Sequence, residues 1–368
     1  MPNMNHMPEN LQAKQVYNNF EQMVLAKNFF LPFMSSDDTA IFKEIPYRGD
    51  GFTMNIATSM PLSPAGFIGP DQQILGTEER INLASNVVVL KELAKSVSLP
   101  NSDYYKQANS LNLLAEYTGQ LSTAMSNKLA LTFTGAMTTD LYSLSATART
   151  APSRDRVVYA GVAENEYNTE NIHNNLTHIP ADAEGVFSLN HLLALISKAQ
   201  KGLAADGMSL NLSPTTSFGG VSSKERFGLV LMLTSNSWNQ LRNDPEFKQY
   251  IHGFRTDQRV PDGITGSLWK GQVEGVDIYH CPHLDSIDVK GANGEYNWDL
   301  LLGREAIVYS MPEGENATSY KIAKKGIDYA DRILGLCALA KIGIKTMILP
   351  FKGEQLEMGI IHSFVKKK

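Results

Sequence analysis

Apolar residues recur every three or four positions in two long stretches of the chain. Leu111, Leu114, Tyr117, Leu121, Met125 and Leu129 trace one stripe, and that spacing predicts an amphipathic helix over about 103–132, roughly 45 Å long at 1.5 Å per residue. Pro100 closes whatever precedes it, and Asn101 or Ser102 is placed to cap. Gly119 lies inside this helix and weakens it by up to about 1 kcal/mol. The second stretch, SLNHLLALISKAQKGLAADG, puts Leu189, Leu192, Leu193, Ile196, Ala199 and Leu203 on one face, with Ser188 to cap it and Gly207 at its exit. Near the front, Val16, Phe20, Val24 and Lys27 keep helical spacing within a polar stretch rich in Asn, Gln and Met, which predicts an arm carrying one amphipathic helix.

Other segments alternate or run continuously apolar. Phe52, Met54 and Ile56 alternate as a strand does; Pro61, Pro64, Gly66, Gly69 and Pro70 crowd the next stretch; Ile81, Leu83 and 87–89 suggest a returning strand. This is a long two-stranded excursion with an apolar tip. Such a ribbon is marginally stable alone and must lie on something. The run FGLVLMLT at 227–234 has the length of a buried strand and leads into a short helix that stops near Pro245. Further strands are expected at 273–279, 300–302 and 306–309, with a closing pair at 346–351 and 357–364 separated by Lys352-Gly353. Residues 327–344 fit either period, and 150–185 are polar, suggesting loop and one short strand. Without an internal repeat or a regular β-α-β alternation, the mixture points to an α+β fold.

Composition narrows the function. The 368 residues, 43% of them hydrophobic, suffice for two or three domains with a sizeable core. No run of about 18 apolar residues occurs and the first residues lack the order of a signal peptide, so a cytosol-like compartment and no membrane partner are expected. Two cysteines, Cys281 and Cys337, suit a reducing environment and are expected to be plain thiols. A net charge of −5 with both signs dispersed lacks the basic stripe of a dedicated nucleic-acid binder; the block Lys366-Lys367-Lys368 is expected to be a solvated end.

The common catalytic signatures are missing. A P-loop needs Gly-Lys, and the chain has no such pair; Gly-x-Gly-x-x-Gly, Gly-x-Ser-x-Gly and His-Glu-x-x-His are absent too. One dense cluster remains, His280-Cys281-Pro282-His283. In a continuing strand Cys281 and His283 share a face, while zinc requires three or four ligands, with His173 and His178 a hundred residues away as companions. The plain reading is a buried cysteine beside surface histidines. No catalytic, cofactor or metal residue is expected.

The order of the elements, arm, long extended loop, long helix, mixed body and closing strands, resembles the Hong Kong 97-type fold of tailed-phage major capsid proteins. FGLVLMLTSNSWNQLRNDPEFKQYI looks like that group's strand and short helix, GSLWKGQVEGVDIYHCPHL like its recurring hairpin, and LLLGREAIVYS, KKGIDYADRILG and IGIKTMILPF like its later strands. The resemblance covers about 40–364 and is nearest to capsid proteins of short-tailed phages (podoviruses) with larger genomes. It implies an N-terminal arm at 1–40, an extended loop at 41–97, a peripheral domain with a spine helix at 98–185, an axial domain at 186–344, and peripheral return strands with a C-terminal tail at 345–368.

The function this implies is mechanical: self-assembly through pentamers and hexamers into an icosahedral shell around double-stranded DNA, held without sequence-specific binding. The protein would be located in the virion, after assembly in the host cytoplasm. Pro61, Pro64, Phe67 and Ile68 at the loop tip are the expected intersubunit residues. Some members of the group join subunits through a loop lysine, but no lysine lies between Lys43 and Lys91 here, so the shell is expected to rely on non-covalent burial or a cement protein. The arm's roughly 40 residues look too few for a cleavable scaffolding segment, so a separate scaffolding protein is expected, along with a portal. The alternatives are an encapsulin-like bacterial nanocompartment shell and a cytosolic metalloenzyme using Cys281 and His283.

Overall fold

The computed structural model describes residues 23–24, 27–37, 40–47, 52–59, 83–100, 110–138, 156–162, 184–200, 215–216, 227–254, 268–287, 289–291, 294–311, 320–326, 333–351 and 354–368. Among the described residues two mixed sheets, a two-stranded sheet and four α-helices make up its body. The long helix α1 runs over Ser110–Met137, and its apolar stripe continues from Leu121, Met125 and Leu129 to Phe133 and Met137, all buried. The spacing seen in the sequence thus holds for two further turns. The upstream residues Leu111 and Leu114 lie where side chains are not described, and Val16 and Phe20 fall outside the described residues.

The first sheet has the order β1 (Met34–Ser35), β2 (Phe42–Glu44), β12 (Ile307–Ser310), β14 (Ile333–Thr346), β4 (Leu83–Pro100) and β3 (Thr53–Ser59), with β13 (Tyr320–Gly326) also on β14. Its spine is the antiparallel pair β4 and β14, matched from Leu90 opposite Gly343 to Pro100 opposite Ile333. Ala338, Ala340 and Ile342 of β14 turn to the core that α1 covers. The ambiguous stretch 327–344 thereby resolves as strand over its described part: small residues at alternate positions let the helix sit close, which is a demand of packing and not of period.

The second sheet has the order β5 (Val157–Tyr159), β17 (Ile360–Lys366), β11 (Gly294–Leu302), β7 (Phe227–Leu233), β9 (Val276–His280) and β8 (Trp269–Val273), with β10 (Val289–Gly291) on β11 and β6 (Thr215–Thr216) on β7. Both of its faces are buried. Val230, Met232, Leu300, Leu302, Ile360 and Phe364 face the core shared with α1. Their neighbours Leu229, Leu231, Leu233, Leu301, Ile361 and Val365 face α2 (Leu189–Gln200), α3 (Ser235–Asn243) and α4 (Pro245–Phe254). Burial on both sides is why 227–233 is apolar without alternation. Ser188 caps α2 as expected, its hydroxyl accepting from His191 N at 3.3 Å.

One expectation needs correction, and others gain detail. The short helix stops near Pro245 as expected, at Asn243, and Pro245 then opens α4, where its missing N–H is harmless at the first position. The strand that the pattern places at 273–279 belongs to the hairpin that the resemblance implied, β8 and β9, turned by Glu274 and Gly275 at φ of 48° and 81°, the two left-handed residues that a tight hairpin turn requires. The closing segments do not pair with each other: β15 (Ile348–Phe351) pairs with β16 (Glu354–Glu357), while β17 inserts between β5 and β11. Each sheet draws strands from more than one of the spans that the resemblance implied. β5, expected at the periphery, and β17, expected to return there, lie in the second sheet, and β12, β13 and the part of β14 expected within the axial span lie in the first. Non-local pairing of this kind leaves no mark in local sequence.

The described aromatic segment before β3 is part of the core. Phe30, Phe33, Ile41 and Phe42 are fully buried, Phe42 stacks on Phe133 of α1 with ring centroids 5.3 Å apart, and Phe33 meets Tyr279 edge-on at 5.1 Å. Lys27 fastens this segment to α1, its Nζ donating to Gly119 O at 3.0 Å, Ser122 Oγ at 2.8 Å and Thr123 Oγ1 at 2.9 Å.

Candidate functional site

The ribbon expected from the sequence is present as β3 against the first seven residues of β4, antiparallel from Thr53 opposite Val89 to Ser59 opposite Leu83. Directly opposed residues share a face. Met54, Thr58, Asn86 and Val88 point to the protein and are buried. On the opposite face Val87 and Val89 are each 45% exposed, beside the exposed Thr53 and Asn55; Phe52, one residue before β3, is 62% exposed. These three are the largest exposures of big apolar side chains among the described residues, and they gather on one element. The tip residues Pro61, Pro64, Phe67 and Ile68 lie outside the described residues.

Val87 and Val89 were not singled out in the sequence, because a Val-Val-Val run does not say which member faces out. Only the register with β3 and the cover over Val88 decide it.

The cluster at 280–283 does not converge. Cys281 is fully buried, and burial pushes its thiol up to about 12. His280 turns the other way, its Nε2 sharing a 2.7 Å hydrogen bond with Ser235 Oγ and lying 3.6 Å from Asp285. His283 packs against the rings of Phe29 and Phe30. Nor is Ser235, His280 and Asp285 a nucleophilic triad: the carboxylate accepts from the serine hydroxyl and from Ser235 N at 2.7 Å, where a triad needs it on the far ring nitrogen. Asp285 instead ties the loop after β9 to the start of α3. Among the described residues no three His, Cys, Asp or Glu side chains gather as a metal site would require. The expected companions His173 and His178 lie outside the described residues.

Buried polar groups serve the fold. Asp299 on β11 accepts from Thr234 N at 2.8 Å and from Ser237 Oγ at 2.5 Å, and complete burial raises its carboxyl to about 7 despite those donors. His362 accepts from Trp298 Nε1 at 3.0 Å; burial, aided by Arg156, lowers it to about 3. His191 shares a 2.8 Å hydrogen bond with Ser363 Oγ and is lowered by burial to about 4. It forms part of the wall of a concavity of about 630 Å³ beside α2, which Tyr159 and Lys198 also line. The C-terminal lysines are not a free end: Lys366 pairs with Glu184 at 2.9 Å, Gln240 donates to Lys366 O, and Lys367 N donates to Glu295 O.

No protein-family model matches the chain, and no curated protein sequence matches it. Solved structures do. The chain is similar to the capsid of Ralstonia phage GP4, with a TM-score of 0.68 at 16% identity, over 93% of this chain and 92% of that one. It is similar to the capsid asymmetric unit of cyanophage Pam1, with 0.66 at 18% identity over 93% of each chain. A third likeness is to the head structure of Helicobacter pylori bacteriophage KHP40, with 0.63 at 11% identity over 93% of this chain and 91% of that one. At such identities what is shared is the fold, and it is shared over nearly the whole length. The chain has the α+β fold of phage capsid proteins, the Hong Kong 97-like class to which its order of elements pointed.

Proposed function

We propose that this chain is the major capsid protein of a tailed phage, many copies of which close into an icosahedral shell around double-stranded DNA. The observation that carries this is the ribbon: it leaves Phe52, Val87 and Val89 uncovered among the described residues, on a chain that shares its fold over 93% of its length with a phage capsid protein. Apolar side chains grouped this way are a surface to be covered by a partner, and the partner a shell supplies is another copy of the chain. The loop tip, Pro61, Pro64, Phe67 and Ile68, would extend the same contact. Pentamers and hexamers are the expected intermediates, with a scaffolding protein and a portal as assembly partners and a cement protein or burial alone to secure the shell. A net charge of −5 suits an inner wall that contains DNA without gripping it.

The test is the assembly state of the purified full-length chain, followed by sedimentation and negative-stain microscopy. Capsomers or closed particles are expected as concentration rises; a monomer at every concentration, alone and beside a scaffolding protein, overturns the proposal.

A further inference from the structure

The ribbon leaves the first sheet as a pair of strands. β14 accompanies β4 only as far as the pair Gly343 and Leu90; beyond it β14 turns away to pair with β12, and the ribbon goes on with two strands. A lever of seven residues is about 23 Å long, so a 10° swing at the root displaces its far end by roughly 4 Å, more than an apolar contact tolerates. Something must hold the angle.

We infer that Asn86 is the positioning residue that sets this angle, by clamping the ribbon to the backbone of Ile348. Asn86 lies on the ribbon's inner face, 5% exposed, where β15 begins. Its amide treats Ile348 as a neighbouring strand would: Nδ2 donates to Ile348 O at 3.0 Å and Oδ1 accepts from Ile348 N at 3.3 Å. Thr58, across the ribbon from Asn86, completes the clamp. Its Oγ1 accepts from Asn86 Nδ2 at 3.1 Å and donates to Ile348 O at 3.3 Å, so both strands of the ribbon are fixed to the backbone of one residue. The far edge of this segment is held by β16, with Met358 N donating to Met347 O at 3.0 Å. The anchor is therefore itself braced.

Close packing reinforces the angle. A Cβ at Gly343 would come within 2.6 Å of Val88 Cγ1, so glycine there lets the ribbon's inner face settle against β14. All the clamp's members are buried, and removing the amide leaves Ile348 N without its acceptor and Ile348 O with Thr58 alone, which a swing of the ribbon relieves by admitting water. The consequence for shell assembly rests on the proposed function; the holding of the ribbon does not.

The test measures the ribbon's orientation in the unassembled subunit. Spin labels are placed at Asn55→Cys on the ribbon and Asn127→Cys on α1, both exposed, in a Cys337→Ser background; Cys281 is buried and stays unlabelled. The wild-type clamp predicts one narrow distance. Asn86→Leu, of similar size but without the amide, is expected to broaden the distribution roughly twofold or more while the circular dichroism of the body is unchanged. Asn86→Asp, which keeps the shape and loses the donor, is expected to broaden it at pH 8 and to recover partly when the carboxyl is protonated near pH 5. If Asn86→Leu does not fold, Asn86→Asp decides alone. A folded variant that keeps the wild-type distribution overturns the inference, whether or not the chain forms shells.

Discussion

Gly119 shows how single residues carry both cost and compensation. It interrupts the best helix of the chain, yet its carbonyl collects three side-chain donors, from Lys27, Ser122 and Thr123. A Cβ built there meets nothing within 4 Å. Gly119→Ala is therefore expected to stabilise the subunit by about 0.5–1 kcal/mol through helix propensity alone, seen as a higher melting temperature; an unchanged or lower one would mean that the glycine is needed for bending. Buried ionisable groups give a second expectation. His191 and His362 refuse protons in the fold that the unfolded chain accepts below about 6.5, so each removes stability as pH falls through that range. Asp299 has the opposite sign: held protonated to about 7 in the fold and ionised above about 4 when unfolded, it removes stability as pH rises between those values. Asp299→Asn abolishes that loss, so the melting temperature of the variant relative to wild type is expected to rise from pH 5 to pH 8. A difference independent of pH would contradict the buried-acid assignment.

At the scale of elements, what could be read from the sequence was set by how local its cause is. α1, α2, the strand at 227–233 and the ribbon were legible because each exposes one face or buries two, and a periodic pattern records that. The β8–β9 hairpin was implied by the resemblance but not by the apolar pattern, because its turn is made by Glu274 with Gly275, and a glutamate seldom takes a left-handed conformation. The position of β17 was missed because its neighbours β5 and β11 are distant in sequence. The ribbon's outer face was hidden inside a run of three valines, and the tip proposed from the sequence awaits its own test. The outer face yields a direct prediction: Val87→Asp combined with Val89→Asp leaves a folded subunit, since both side chains already face solvent, but lowers shell yield by roughly tenfold or more through charge placed in an apolar contact. Normal yield would remove the ribbon from the assembly account. The same substitution at Phe67→Asp asks the question of the loop tip.

For the whole molecule, the two cores do different work. One joins the aromatic segment before β3, α1 and both sheets, so the ribbon's base and the second sheet move as one piece; the other sits between the second sheet and α2 to α4. A subunit built in this way presents the ribbon from a rigid platform, as a closed shell of identical parts requires. The ribbon and its loop carry no lysine between Lys43 and Lys91, and Lys43 is engaged with Glu305 at 2.7 Å. Shells are therefore expected to dissolve to monomers when boiled in detergent under reducing conditions, and a ladder of crosslinked species would show covalent joining instead. The most direct measurement is a cryo-electron-microscopy reconstruction of the assembled material. The account predicts that Val87, Val89 and Phe52 are covered by a neighbouring copy of the chain; finding them covered by the subunit's own residues in an unassembled particle would contradict it.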